Sequence, residues 1–94
     1  MLKQNEVEVN ADLIGELAAK TFEAVQNGHC VFFDIRGHVN AYCFEICKSK
    51  KEYSETIFLR RFYDDVYSCE KQFEENISEC LEQLRSLSIG VVNE

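Results

Sequence analysis

Five cysteines and two histidines are the side chains in this 94-residue sequence whose chemistry could serve catalysis or metal binding. Thiolates act as nucleophiles and as zinc ligands when suitable partners stand near them. No Cys-x-x-Cys pair occurs. Cys43 and Cys47 would lie about 13 Å apart on a strand, and Cys69 and Cys80 about 16 Å apart on a helix, which is too far for a disulfide or a shared metal ion. This spacing, the odd count and an expected reducing compartment predict that all five, Cys30 included, are free packing thiols.

A Cys–His pair and an aspartate pair are the other candidates for chemistry. His29 precedes Cys30, but adjacent strand residues point to opposite faces, so the imidazole should not reach the thiol. His38 is expected at a hairpin tip. Asp64 and Asp65 could bind a metal ion, although a helix cap explains them equally well. Since phosphate-loop, nucleophile-elbow, zinc-protease and EF-hand motifs are absent from the sequence, we predict no catalytic residue, no metal site and no cofactor.

Carboxylates are concentrated in residues 64–82, where seven acidic residues accompany one lysine. One interpretation is a solvated helix surface; the other is that the carboxylates imitate the phosphate row of a nucleic acid and bind a basic groove. The net charge of −7 argues against direct nucleic-acid binding, because phosphate contacts need Lys and Arg. We call these seven residues the acidic row: Asp64, Asp65, Glu70, Glu74, Glu75, Glu79 and Glu82.

The stretch that must position these side chains is 30–62, which is dense in aromatic and β-branched residues. It predicts three antiparallel strands at 30–36, 39–48 and 53–62. We expect tight turns at 37–38 and 49–52. Gly37 favours the first turn, whereas the Lys50-Lys51 pair in the second is poor turn chemistry and leaves a longer loop open.

These turns predict a register for the sheet. Phe33 would lie opposite Tyr42, and Phe44 would lie between Val31 and Ile57. Since opposed residues share a face, one apolar core face follows. Its members are Val31, Phe33, Tyr42, Phe44, Ile57 and Leu59.

The same register places Phe32, Cys43 and Phe58 in one row on the opposite face. Two phenylalanines and a cysteine are unexpected on a wet surface. Either a tail or a different register covers them, or they form an exposed apolar strip for a partner or a second copy of the chain.

Apolar residues recur at helical spacing both before and after the three strands in the sequence. We predict a helix at 10–27 with Asn10 as its N-cap, and a second helix at 64–88. Residues 1–9 would be a frayed arm or a short edge strand. The sequence therefore predicts a single α+β domain over 1–94, ordered αβββα, as a two-layer sandwich with both helices on one sheet face.

The composition indicates the class of protein and its cellular compartment. It has 46% hydrophobic and 29% charged residues, as globular proteins do. No apolar run approaches a membrane span, and the N-terminus lacks a signal-peptide apolar region. We expect a cytoplasmic protein without membrane contact.

Helix, three strands and helix is also the element order of double-stranded RNA-binding domains. That family begins its second helix with a lysine-rich motif, where this chain has Asp64, Asp65 and Glu70, which argues against RNA binding. In size, acidity and element order the chain resembles the small acidic proteins with which phages block host defence, including anti-CRISPR inhibitors. The resemblance implies inhibition by DNA mimicry, and it carries no motif that would assign a role to any residue.

The leading functional prediction is therefore a non-enzymatic, anti-CRISPR-like inhibitor. Its acidic row would occupy the nucleic-acid-binding groove of a protein with a basic surface, with Phe32, Cys43 and Phe58 as an apolar contact or a homodimer seam. The alternative is an acidic chaperone or immunity-type protein that binds one cognate protein through the sheet face, as a monomer or a dimer.

Overall fold

The computed structural model describes residues 4–63 and 70–92. The elements are α1 (Gln4–Gln26), β1 (Cys30–Arg36), β2 (Ala41–Cys47), β3 (Thr56–Tyr63) and α2 (Glu70–Val92). The strands form one antiparallel sheet in the order β1-β2-β3. The predicted α+β class and the order αβββα are confirmed.

Helix α1 is longer than its sequence pattern indicated. It begins at Gln4, so the arm or edge strand predicted for residues 1–9 is wrong from residue 4 onward. Asn10 is not an N-cap: it lies inside the helix and is buried, and its side-chain oxygen has no partner among the described residues. The part of α1 before Asn10 exposes Val7 and Val9, so it extends the helix beyond the core; a hydrogen bond from Gln4 Nε2 to Glu8 Oε1, at 3.5 Å, spans it.

The end of α1 follows the prediction from Asn27-Gly28. The helix closes with a Schellman arrangement, in which His29 N–H donates to Ala24 O at 3.0 Å and Gly28 N–H donates to Val25 O at 3.1 Å. Gly28 has a φ of 98°, a left-handed conformation that glycine adopts without a Cβ penalty. This turn leads the chain directly into β1.

The β1–β2 hairpin has a four-residue turn, 37–40, and not the predicted two-residue turn. Asn40 takes a left-handed φ of 51°, which asparagine tolerates better than most residues. Phe33 therefore pairs with Phe44 and Val31 with Ile46, a shift of two residues from the predicted register. Because side chains alternate with a period of two, the predicted face assignments in β1 and β2 survive this shift.

The β2–β3 pairing corrects the predicted face of β3. Phe44 pairs with Arg60 and Tyr42 with Phe62, a shift of three residues that turns β3 over. Ile57 and Leu59, predicted to lie in the core, are exposed, whereas Phe62 is buried. Phe58, predicted on the outer face, packs against the core instead.

The longer second loop explains this shift. Residues 48–55 form two successive turns, closed by the Lys48 N–H, which donates to Glu55 O at 2.8 Å. Lys48 Nζ lies 3.3 Å from Glu52 and 3.7 Å from Glu55. A bulge at Ile46/Cys47 then sets the pairing of β3.

Both helices pack on the same face of the sheet and against each other, α1 next to β1 and α2 next to β3. Phe73 of α2 contacts Tyr42 and Phe62 edge-on, at ring-centroid distances of 5.7 and 5.5 Å. The predicted two-layer arrangement is therefore present. Its fully buried side chains are Leu17, Phe44, Ile46, Phe73, Ile77 and Cys80.

Candidate functional site

The sheet face turned away from both helices, here called the open face, carries large apolar side chains. Phe32 and Leu59 stand on either side of Glu45 in one cross-strand row. Ile57 and Tyr63 lie along the same face of β3. Phe32, Ile57, Leu59 and Tyr63 expose 46, 61, 50 and 44% of their surface, respectively. A row of half-exposed aromatic and aliphatic groups on one face is typical of an interaction surface rather than of scattered surface residues.

The row predicted from Phe32, Cys43 and Phe58 is not present as such. Phe32 and Cys43 do share the open face, but Phe32 pairs with Glu45 and Cys43 pairs with Asp34 and Arg61. Phe58 lies on the other face, with its ring edge-on to Phe44 at 6.0 Å. An apolar strip is therefore present, but β3 contributes Leu59 to it in place of Phe58.

Two thiols lie opposite each other at one end of the open face. Cys30 of β1 and Cys47 of β2 are direct cross-strand partners, and both are free. Burial, the Glu45 carboxylate and the Cys30 thiol together raise the pKa of the Cys47 thiol from 9.0 to about 11. This pair was not predicted, because the two-residue turn expected from the sequence would place Cys30 opposite Glu45; the observed four-residue turn aligns Cys30 with Cys47.

A hollow of about 240 Å³ occupies the other end of the open face. Its floor consists of the small side chains Ala41 and Cys43 of the central strand. Arg36 lines it from the β1 side and Arg61 from the β3 side. These arginines were not predicted as a pair, because they are brought together only by the observed β3 register. The complete lining is Arg36, His38, Val39, Ala41, Tyr42, Cys43, Arg61 and Tyr63.

The acidic row is only partly within the described residues. Asp64 and Asp65 lie outside them, and Glu70 is the first residue of α2, with its side chain not described. Glu74, Glu75, Glu79 and Glu82 are exposed on α2.

Glu79 has a structural partner that its three exposed neighbours on α2 lack. Its carboxylate accepts a hydrogen bond from the Arg60 guanidinium, which lies over the Phe58 ring at 5.5 Å from the centroid. Arg60 stands on the core face of β3, so this ion pair joins the sheet to α2. Glu74, Glu75 and Glu82 form no ion pair with any other described residue.

Charge divides between the two layers of the fold. Helices α1 and α2 carry ten carboxylates and three basic side chains, whereas residues 27–63 carry four carboxylates and six basic side chains. The acidity predicted for one helix is thus shared by both. The sheet layer is the less acidic side of a protein whose net charge is −7.

Comparison with protein-family models, curated proteins and solved structures found no match. Within residues 4–63 and 70–92 no helix combines the length and apolarity needed to cross a bilayer. The same residues contain no group of three or more His, Cys, Asp or Glu side chains arranged to hold a metal ion.

Proposed function

We propose that the chain is a non-enzymatic protein-binding module that holds its partner against the open face of the sheet. The observation that carries this proposal is the exposure of Phe32, Ile57, Leu59 and Tyr63 on the face opposite both helices. Aromatic residues are enriched in the cores of protein interfaces, and Phe32 and Tyr63 are the aromatic members of this set.

The charges on the open face favour a partner of a particular chemistry. Arg36 and Arg61 form no ion pair with any described residue, and they border the apolar side chains. Glu45 accepts a hydrogen bond from the Thr56 hydroxyl. The surface therefore suits a partner that presents an apolar patch with acidic side chains at its margin, because opposite charges at the rim of an interface favour encounter and register.

A direct test compares binding by the wild-type chain with binding by the double variant F32S/L59S. Both residues are about half exposed, so their replacement should lower the melting temperature by only a few degrees and leave the fold intact. Proteins retained from a lysate of the source cells would be identified by mass spectrometry. The affinity of the purified partner would then be measured by calorimetry, where we expect a loss of tenfold or more.

A matched control is F22S, since Phe22 is 65% exposed on α1 and lies on the helical side of the molecule. This variant should bind the partner as the wild type does. Equal binding by F32S/L59S and the wild type would contradict a contact through the open face.

A second candidate function uses the helical layer against the basic groove of a nucleic-acid-binding effector, as an anti-CRISPR-like inhibitor would. The exposed and unpaired carboxylates of Glu74, Glu75 and Glu82 favour it. The variant E74K/E75K/E82K tests it while leaving the Arg60–Glu79 ion pair intact. A helical interface would be lost in this variant and would weaken steeply with salt, whereas an interface on the open face would survive the variant.

A further inference from the structure

The hollow on the open face owes its shape to side-chain size across three strands. Arg36, Ala41 and Tyr63 form one cross-strand row, and Asp34, Cys43 and Arg61 form the next. The central strand contributes only small side chains to these rows. Long side chains on the outer strands therefore stand above a low floor, and the turn at 37–40 closes one end.

The electrostatics of the hollow differ from those of the rest of the molecule. Two guanidiniums and one imidazole are among its lining residues and no carboxylate is; the nearest carboxylate position on this face is that of Asp34, opposite Cys43 in the row of Arg61. Arg60 and Lys48 are neutralised by glutamates, but neither Arg36 nor Arg61 forms an ion pair within the described part of the chain. In a protein with a net charge of −7, two unpaired guanidiniums at one small hollow form a localised anion-attracting site.

We propose that this hollow binds a phosphate monoester, a ligand beyond the protein-binding function proposed above. A guanidinium fork engages a carboxylate fully, so one arginine suffices for that ion. Two guanidiniums on opposite walls match a tetrahedral dianion, whose several oxygens can accept from both. Tyr63 and His38 also line the hollow, and a phenol hydroxyl and an imidazole N–H are further hydrogen-bond donors.

The remaining lining suits the organic part of such a ligand. Val39 and the Tyr63 ring provide apolar surface beside the arginines, and both are about half exposed. The volume of about 240 Å³ lies below the roughly 300–1,000 Å³ of drug-sized pockets, which limits the ligand to a phosphate with a small attached group. We expect an aromatic or short aliphatic ester to bind more tightly than inorganic phosphate.

The test titrates the purified chain with phenyl phosphate, inorganic phosphate and benzoate, at constant ionic strength, and follows backbone amide shifts by NMR. Phenyl phosphate should shift the amides of Arg36, Ala41, Cys43 and Arg61, and inorganic phosphate should shift the same set with lower affinity. Benzoate, which has the ring but only a carboxylate, should bind at least tenfold more weakly than phenyl phosphate. Equal affinities for the two would overturn the assignment to phosphate.

The variant R36Q/R61Q should lose at least tenfold in phenyl phosphate affinity, because both charge-assisted contacts disappear. Both side chains are exposed, so the variant should fold with an unchanged melting temperature. The matched control is R85Q, which removes an exposed arginine from α2 and should bind as the wild type does. Undiminished affinity in R36Q/R61Q, or no saturable shift of the wild type at millimolar phenyl phosphate, would refute the proposal. Neither result depends on a protein partner, so failure here leaves the proposed function standing.

Discussion

At the residue scale, the facing thiols of Cys30 and Cys47 stand at a separation that suits a disulfide. Opposed residues of an antiparallel pair have Cα atoms about 4.5–5.5 Å apart, within the range that disulfides span. The two thiols differ in reactivity. Cys30 is half-buried with access to solvent, whereas the raised pKa of Cys47 keeps its thiol protonated at neutral pH.

We therefore predict that oxidised glutathione at mildly alkaline pH converts this pair to an intramolecular disulfide. The Cys30 thiolate would attack the glutathione disulfide and release one glutathione thiol; the Cys47 thiolate would then displace the second. Mass spectrometry should find the loss of two hydrogen atoms and a cross-linked Cys30–Cys47 peptide. The variant C47S should stop at a stable glutathione adduct on Cys30, and C43S should form the disulfide normally. An intramolecular disulfide that still forms on Cys30 in C47S would contradict this pairing.

Cys80 predicts a specific loss of stability at high pH. Burial raises the pKa of its thiol from 9.0 to about 12, against a smaller opposing effect of Arg60. The folded state holds the thiol protonated while the unfolded chain ionises it, so the stabilising contribution is complete below pH 9 and is lost as the pH rises from there towards 12. The slope for one such proton approaches about 1.4 kcal/mol per pH unit.

Urea unfolding of the wild type and C80A at pH values from about 8 to 11 measures this contribution. C80A should be less stable at neutral pH, because it leaves a cavity at a fully buried site, but its stability should fall less steeply above pH 9. Every other ionisable group is present in both proteins, so its contribution to the pH dependence of stability cancels in the comparison. Parallel curves would contradict the assignment to Cys80.

At the element scale, the sequence predicted the kinds and order of the elements but not the pairing of β3. The strands were evident from aromatic and β-branched density, and the Gly28 stop of α1 from its dipeptide. The two-residue error in the register of β1 and β2 left the predicted faces unchanged, because a shift of two residues keeps each side chain on the same side of the sheet. The three-residue error in the register of β3 placed Ile57 and Leu59 in the predicted core, where the structure has Phe58 and Phe62.

Both faces of β3 carry apolar side chains. The alternation of apolar and polar residues therefore could not show which face of the strand lies in the core. Residues 57–59 are apolar without interruption, so either face of the strand reads as a core face. The deciding features are the two-turn loop at 48–55 and the bulge at Ile46/Cys47, whose backbone geometry has no distinct residue signature. The sequence predicted an apolar strip on this face of the sheet, but not which residues of β3 belong to it.

The β3 register predicts very different losses of stability for two alanine substitutions. F62A should destabilise the fold by about 3–5 kcal/mol, since Phe62 is buried against Tyr42 and Phe73. L59A should cost less than about 1 kcal/mol, because Leu59 is half exposed. Chemical denaturation measures both, and a larger cost for L59A than for F62A would restore the register expected from the sequence.

At the scale of the whole molecule, acidity is concentrated in the helical layer. The outer sides of α1 and α2 carry like charges on helices that pack against each other, so mutual repulsion opposes the fold. The Arg60–Glu79 pair and the Lys20–Glu23 pair, the latter at 3.6 Å, offset only part of it.

We predict that the melting temperature rises when salt is increased from about 10 to 150 mM, because screening weakens this repulsion. E75Q and E82Q remove unpaired carboxylates from α2 and should each stabilise the protein by about 0.3 kcal/mol at low salt, with a smaller salt dependence. E52Q, which removes one of the two carboxylates paired with Lys48, should give no such gain. A melting temperature that falls with added salt would contradict the repulsion.

The connectivity of this fold also has a kinetic consequence. The strands pair only with their neighbours in sequence, α1 packs on the strand that follows it, and α2 packs on the strand that precedes it. The packing of α1 on α2 is the principal contact between distant parts of the described chain. Its formation must close the longest loop, so we expect the meander to form in the folding transition state before the helices meet. L17A and I77A, both at fully buried helix positions, should then accelerate unfolding while leaving the refolding rate nearly unchanged, which stopped-flow measurements can determine.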